Sequence, residues 1–167
     1  MNFNSCDYPY PSRRTVVYGQ HGVVATSQYL AAQAGLDVLK NGGNAIDAAI
    51  AAEPCSNGIG GDAFALVWSD GKLYGLNASG ASPRLLFLDR LIEAGCETMP
   101  AYGWEAVTVP GIPSAWAALS ERFGRLPLIQ AMAQASAYAK DGFPVSPVVS
   151  QSWARAAEIY KNRLPGD

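Results

Sequence analysis

One stretch limits what this chain can become: Glu53-Pro54-Cys55-Ser56-Asn57-Gly58-Ile59-Gly60-Gly61-Asp62. Pro54 disfavours the helical region for Glu53, so a helix arriving from the N-terminal side ends there. The three glycines that follow admit tight turns and close backbone approaches. After Asp62, the run Ala63-Phe64-Ala65-Leu66-Val67-Trp68 has the length and apolar content of a core strand. The order is therefore helix, tight loop, strand. Loops held on rigid elements are common meeting places for substrates.

The chain has 167 residues, enough for one domain with a true core. Hydrophobic residues make up 49% and charged residues 16%, a balance that argues against disorder. The net charge is −2 and no basic cluster occurs, so neither composition nor patterning points to nucleic acid. No run has the length needed to span a membrane. The first residues carry no basic-then-apolar signal pattern. Cys6, Cys55 and Cys96 are three and widely spaced. They read as free thiols in a reducing compartment, which favours a cytoplasmic location.

Residues 1–14 are polar, contain Pro9 and Pro11, and read as a flexible arm. Residues 15–167 form the folded part. Short strands are expected at Thr15–Tyr18 and Val23–Thr26, around a turn that carries His21. This lone histidine could be imagined as a general base, but beside a glycine turn it reads as a surface residue. Ser27 is placed to cap a helix over Gln28–Lys40. Leu30, Ala34 and Val38 give that helix an apolar face. Asn41-Gly42-Gly43 ends it. Asn44 and Asp47 have the spacing of a capping pair for a second helix, Ala45–Ala52. Asp47 thus reads as structural rather than catalytic. Nearly all alanine and about two turns long, the second helix needs burial to be stable.

A hairpin follows the glycine loop, with Asp70-Gly71 as its turn and Leu73–Leu76 as the returning strand. The first strand is apolar on both faces, so both are expected to be covered. Asn77–Pro83 reads as a small, polar, flexible loop, followed by Arg84. Further expectations are a short helix over Leu85–Ala94, a short strand at Ala106–Val109, and a helix from Ile112 that stops at Gly124. Ile112, Trp116, Leu119 and Phe123 mark its inner face. Pro127 opens another helix that ends at Gly142, with Leu128, Met132, Ala135 and Ala139 inward. Gln151–Tyr160 is a third, with Trp153, Ala157 and Tyr160 as core. The chain ends on Leu164-Pro165-Gly166-Asp167, a turn rather than a finished element, which raises the expectation that the natural sequence continues.

Several chemistries lack their residues. One histidine and three distant cysteines do not make a zinc site, and no metal or other cofactor is implied. Gly58-Ile59-Gly60-Gly61 has its flanking helix and strand in the wrong order for a dinucleotide loop, and no Lys-Ser or Lys-Thr follows. No nucleophile elbow is visible.

Three segments together resemble the gamma-glutamyltranspeptidase family, with its cephalosporin-acylase members. They are Gly22-Val23-Val24-Ala25-Thr26-Ser27, then Gly42-Gly43-Asn44-Ala45-Ile46-Asp47-Ala48-Ala49, then Glu53-Pro54 through Gly61-Asp62. Pro110-Gly111-Ile112-Pro113 and Ala139-Lys140-Asp141-Gly142-Phe143 also fall where the family places similar motifs. The resemblance implies an α+β fold, the αββα sandwich of N-terminal-nucleophile hydrolases, present here as its N-terminal part. It implies a precursor that cuts itself into a large and a small subunit. The new N-terminal threonine of the small subunit would attack a gamma-glutamyl carbonyl, its own amine serving as base. Glutathione or a related gamma-glutamyl compound would be the substrate, and the small subunit the partner. The nucleophile is not in this chain, so the chain alone is expected to be inactive. The alternative is a non-catalytic scaffold or binding protein derived from the same family. An unrelated small α/β domain is disfavoured by the ordered motifs.

Two departures from the family pattern stand out. The family usually carries an arginine in the loop after the second strand, where it grips the substrate carboxylate. Here Ser79 and Ala81 occupy the candidate places, and Arg84 lies just past Pro83. These three are the candidate substrate-binding residues. A missing guanidinium fork weakens carboxylate binding. The helix between Asp47 and Pro54 is also short for the family by about seven residues, near two helical turns.

Overall fold

A computed structural model describes residues 17–50 and 58–163. The arm at 1–14, the helix stop at Pro54, Cys6 and Cys55, and the turn at 164–167 lie outside the described residues. The element order is α1 (Tyr29–Lys40), α2 (Ala45–Ala49), β1 (Ala63–Ser69), β2 (Lys72–Ala78), α3 (Leu88–Glu93), a 3-10 turn (Trp104–Ala106), α4 (Ile112–Phe123), α5 (Leu128–Ala131), α6 (Ala133–Asp141) and α7 (Pro147–Arg163). The described residues make a mixed fold of helices and one small antiparallel sheet, β1 paired with β2.

The cap of α1 is Gln28, not Ser27. The Gln28 side-chain oxygen accepts the N–H groups of Leu30 at 2.6 Å and Ala31 at 3.1 Å. A residue with extended backbone immediately before the first helical turn can satisfy those orphan donors, and Gln28 is buried where it does so. Ala31, Ala34, Gly35 and Val38 form the buried face, close to the expected stripe.

The Asn44–Asp47 pair forms as expected. Asn44 Oδ1 accepts from the N–H groups of Ile46 and Asp47, and Asp47 Oδ2 accepts from Asn44 N–H at 2.9 Å. The helix it starts is described over Ala45–Ala49, with Ile50 as C-cap. Asp47 is fully buried. Its Oδ2 also accepts the N–H groups of Arg125 at 3.1 Å and Leu126 at 3.2 Å. A buried carboxylate is costly unless donors meet it; these backbone groups supply Oδ2, whereas Oδ1 is buried without a hydrogen-bond partner. Asn44 Nδ2 donates to the Phe123 carbonyl at 2.6 Å. The start of α2 is thereby fastened to the end of α4. Ile50, Ile112 and Trp116 form the core beside that junction, with Ile46, Ala63, Leu128 and Met132 packed against it.

The hairpin turns at Asp70 (φ 52) and Gly71 (φ 74), the left-handed pair that suits a two-residue connection. Its register pairs Ala65 with Leu76 and Val67 with Tyr74. These pairs share the inner face, where Val67 and Ala78 are buried. Tyr74 meets Phe123 of α4 with ring centroids 5.1 Å apart, and the Arg122 guanidinium lies 4.6 Å from the Tyr74 centroid. The other face is not covered. Phe64, Leu66 and Trp68 are 71%, 78% and 70% exposed, and Leu73 beside them is 61% exposed. The expectation of a sheet covered on both faces therefore fails: the described helices lie on one side only.

Other expected elements also differ. No strand forms at the described part of Thr15–Tyr18, at Val23–Thr26, or at Ala106–Val109. A strand needs a hydrogen-bonded neighbour, and among the described residues only β1 and β2 pair. Val109 instead makes one bond, its N–H donating to the Ala81 carbonyl at 2.9 Å. The helix expected from Leu85 starts at Leu88. The helix expected between Pro127 and Gly142 breaks at Met132, where ψ is 0. Ala131 is buried and Met132 packs on the core, whereas α6 buries nothing. The break lets α5 reach the core while α6 leaves it. The helix expected from Gln151 begins earlier, with Pro147 at its first position and Arg163 at its last. It has no buried residue. Trp153 and Tyr160 are 50% and 52% exposed, so the inward stripe assigned to them and Ala157 is not core.

Candidate functional site

Three segments far apart in sequence meet beside the sheet: the glycine loop before β1, the loop leaving β2, and the Thr108–Ile112 entry to α4. The Gly61 carbonyl accepts the N–H groups of Gly111 at 3.0 Å and Ile112 at 3.1 Å. This fixes the start of α4 on the glycine loop. The Asp62 side chain then reaches sideways. Its Oδ1 accepts the Gly80 N–H at 2.8 Å and the Thr108 hydroxyl at 3.2 Å. Val109 N–H donating to the Ala81 carbonyl closes the third side.

The approach is close enough to exclude side chains at two positions. A Cβ on Gly80 would overlap the Val109 carbonyl, and one on Gly111 would overlap the Ala78 carbonyl. Glycine is required at both for space.

The loop after β2 carries the sequence-derived candidates. Ser79 N–H donates to Asn77 Oδ1 at 2.9 Å, a turn closed by the side chain. With Gly80 N–H on Asp62 and the Ala81 carbonyl on Val109, three consecutive residues are each held by a hydrogen bond. The expectation of a flexible loop is corrected: the backbone there is pinned. Ser79 and Ala81 are exposed and line a cleft of about 410 Å³, with Leu76, Asn77, Val109 and Ser114 among the other walls. Ser114 donates its hydroxyl to the Gly111 carbonyl at 2.7 Å, which fixes that wall. Arg84 is exposed on the turn after Pro83 and does not line this cleft. The structure thus brings Ser79 and Ala81 together and leaves Arg84 apart. His21 is exposed and lines a different groove, beside Leu39 and Lys40.

The residue whose part the sequence concealed is Asp62. A signal existed: an acidic residue directly after a glycine pair, at a loop-to-strand junction, tends to accept backbone N–H groups. Its partners lie 18 and 46 residues away and could not be named from spacing.

The gamma-glutamyltranspeptidase family profile matches residues 31–165. Among curated proteins, a glutathione hydrolase-like YwrD proenzyme of Bacillus subtilis is 38% identical over 78% of this chain and 26% of its own length. An oxamate amidohydrolase proenzyme of Klebsiella pneumoniae is 36% identical over 86% of this chain and 29% of its own length. The chain thus spans between a quarter and a third of these relatives. Among solved structures, cephalosporin acylase from Bacillus halodurans superposes on the whole chain, with a TM-score of 0.88 and 52% identity, and 33% of that protein is covered. Gamma-glutamyltranspeptidase of Helicobacter pylori gives a TM-score of 0.78 at 27% identity, over 86% of this chain and 44% of its own. The described elements are therefore those of known enzymes of one group, in the same arrangement. By sequence and by fold alike, this chain belongs to the gamma-glutamyltranspeptidase family.

Proposed function

We propose that residues 15–167 are the opening part of the large subunit of an enzyme that cleaves amide bonds by acyl transfer, with gamma-glutamyl compounds as the substrate class. The observation that carries this reading is the family match over residues 31–165, joined to superposition of the whole chain on an acylase. In this reading the nucleophile is the N-terminal threonine of a small subunit, released when a precursor cuts itself. The relatives' names as proenzymes support that step. The threonine hydroxyl attacks the acyl carbonyl, its own amine takes the hydroxyl proton and passes it to the amide nitrogen, and the C–N bond breaks so that the substrate's amine leaves and the acyl group stays on the threonine oxygen. Water or an acceptor amine then takes the acyl group.

The uncovered hairpin face fits the same reading. Phe64, Leu66, Trp68 and Leu73 make a continuous apolar surface on a two-stranded sheet. Apolar patches of this kind mark faces made for a partner. A second sheet and helical layer, as in the αββα sandwich, would cover it. The pinned loop with Ser79 and Ala81 would border the acyl pocket, and Arg84 would approach it only by movement of its turn.

Kinetics test the reading. The chain alone should not hydrolyse a gamma-glutamyl anilide, and the self-cleaved product of the longer gene should. Self-cleavage without turnover of any gamma-glutamyl or other acyl amide would favour a non-catalytic scaffold instead.

A further inference from the structure

We propose that Asp62 is a positioning residue, whose carboxylate holds the Ser79-Gly80-Ala81 backbone at the mouth of the cleft. What this loop does for a substrate rests on the functional reading above; what Asp62 does to the loop rests on geometry alone.

Asp62 is exposed, and an exposed carboxylate is ordinarily content with water. Here one oxygen, Oδ1, instead accepts donors from two other segments, the Gly80 N–H and the Thr108 hydroxyl. The 2.8 Å bond to Gly80 has the length of a charge-assisted contact. The remaining restraints on the loop do not replace it. Asn77 holds Ser79 from within the loop, so that turn can form whatever the loop's orientation. Val109 holds the Ala81 carbonyl from the α4 side. Asp62 alone, among these described bonds, ties the loop to the glycine segment. That segment is itself fixed to α4 through the Gly61 carbonyl. The chain of restraint therefore runs from α4 to Gly61, to Asp62, to Gly80. Gly80 has no side chain with which to resist displacement, and the Val109 carbonyl occupies the space where one would stand. Removing the acceptor frees the loop to rotate about Asn77 and Ala81. Ser79 and Ala81 then lose their fixed places on the cleft wall. Asparagine keeps an oxygen at the same position, so it should keep most of the effect; alanine keeps none.

The test has two readouts. In the full-length protein, hydrogen exchange by NMR should show the Gly80 amide exchanging about tenfold faster or more in Asp62→Ala, as expected for loss of a hydrogen bond to a charged acceptor. Amides within the β1–β2 ladder should be unchanged, and Asp62→Asn should stay within about fivefold of the parent. Unchanged Gly80 exchange in Asp62→Ala, with the ladder intact, overturns the proposal. If Asp62→Ala unfolds the chain, Asp62→Asn decides: its weaker acceptor should move the Gly80 amide proton upfield, and an unmoved resonance overturns the proposal. In the self-cleaved longer form, Asp62→Ala should raise KM for the gamma-glutamyl donor about tenfold with kcat within about threefold, the pattern of lost substrate binding, and Asp62→Asn should restore most of it. A fall in kcat at unchanged KM overturns the positioning role. A parent that turns over nothing defeats the functional reading, and leaves the exchange result to judge Asp62 by itself.

Discussion

Gly111 sets its backbone against the carbonyl oxygen of Ala78, in a place where a methyl group has no room. Its φ of −96 and ψ of −25 suit any residue, so the constraint is space and not backbone conformation. Alanine there would ordinarily stabilise slightly, by stiffening the unfolded chain. Instead, Gly111→Ala should destabilise by about 2 kcal/mol, because β2 and the start of α4 must part. Urea denaturation measures this directly. A loss below about 0.5 kcal/mol would show that the two segments separate without cost.

The buried carboxylate of Asp47 makes a second prediction. Three backbone N–H groups converge on its Oδ2, from Asn44, Arg125 and Leu126. Asp47→Ala strands all three and should cost about 3–5 kcal/mol. Asp47→Asn keeps an acceptor but brings an amide group into the same space, and should cost about 1–3 kcal/mol. Circular dichroism melts of both variants check the order. Equal, small losses would mean that water replaces the carboxylate without penalty.

The uncovered face of the hairpin should announce itself in solution. The chain should bind an apolar-sensitive dye or self-associate, because Phe64, Leu66 and Trp68 face outward together. Phe64→Thr with Leu66→Thr should lower dye binding by at least half. Both sites are exposed, so stability should change by only about 0.5 kcal/mol for each. A compact parent chain, silent to the dye and monomeric by sedimentation, contradicts this reading of the face.

The loop after β2 offers a gain-of-function test. Ser79 and Ala81 are exposed on the cleft wall, so a longer side chain can be accommodated. Ser79→Arg or Ala81→Arg in the self-cleaved longer form should lower KM for a gamma-glutamyl donor about tenfold, through a charge-assisted bond to the substrate carboxylate. An unchanged KM would mean that another residue already holds the carboxylate.

Local chemistry was legible in the sequence. The Asn44–Asp47 pair, the Asp70-Gly71 turn and the span of α4 follow from spacing, turn preference and an apolar stripe. Each is decided within a few residues. Less legible was whatever depends on a neighbour. The strands expected around His21 and at Ala106–Val109 had the right composition, but among the described residues nothing pairs with them. The stripe at Trp153 and Tyr160 has the pattern of a core face but stays half exposed, because an amphipathic pattern shows only that a face could be buried, not that something lies against it. Gln28 rather than Ser27 stands at the cap, with extended backbone and its side-chain oxygen on the Leu30 and Ala31 N–H groups. In the candidate site, resemblance to the family points to Ser79 and Ala81, whereas the part played by Asp62 depends on Gly80 and Thr108, which are remote from it in the chain.

Mass spectrometry with N-terminal sequencing of the full translation product decides whether the precursor cuts itself ahead of a threonine. Two fragments are expected, the larger containing this chain and the smaller beginning with threonine, appearing together without added protease. A single uncut polypeptide that nevertheless cleaves gamma-glutamyl amides would contradict it, because the nucleophile would then have to lie elsewhere.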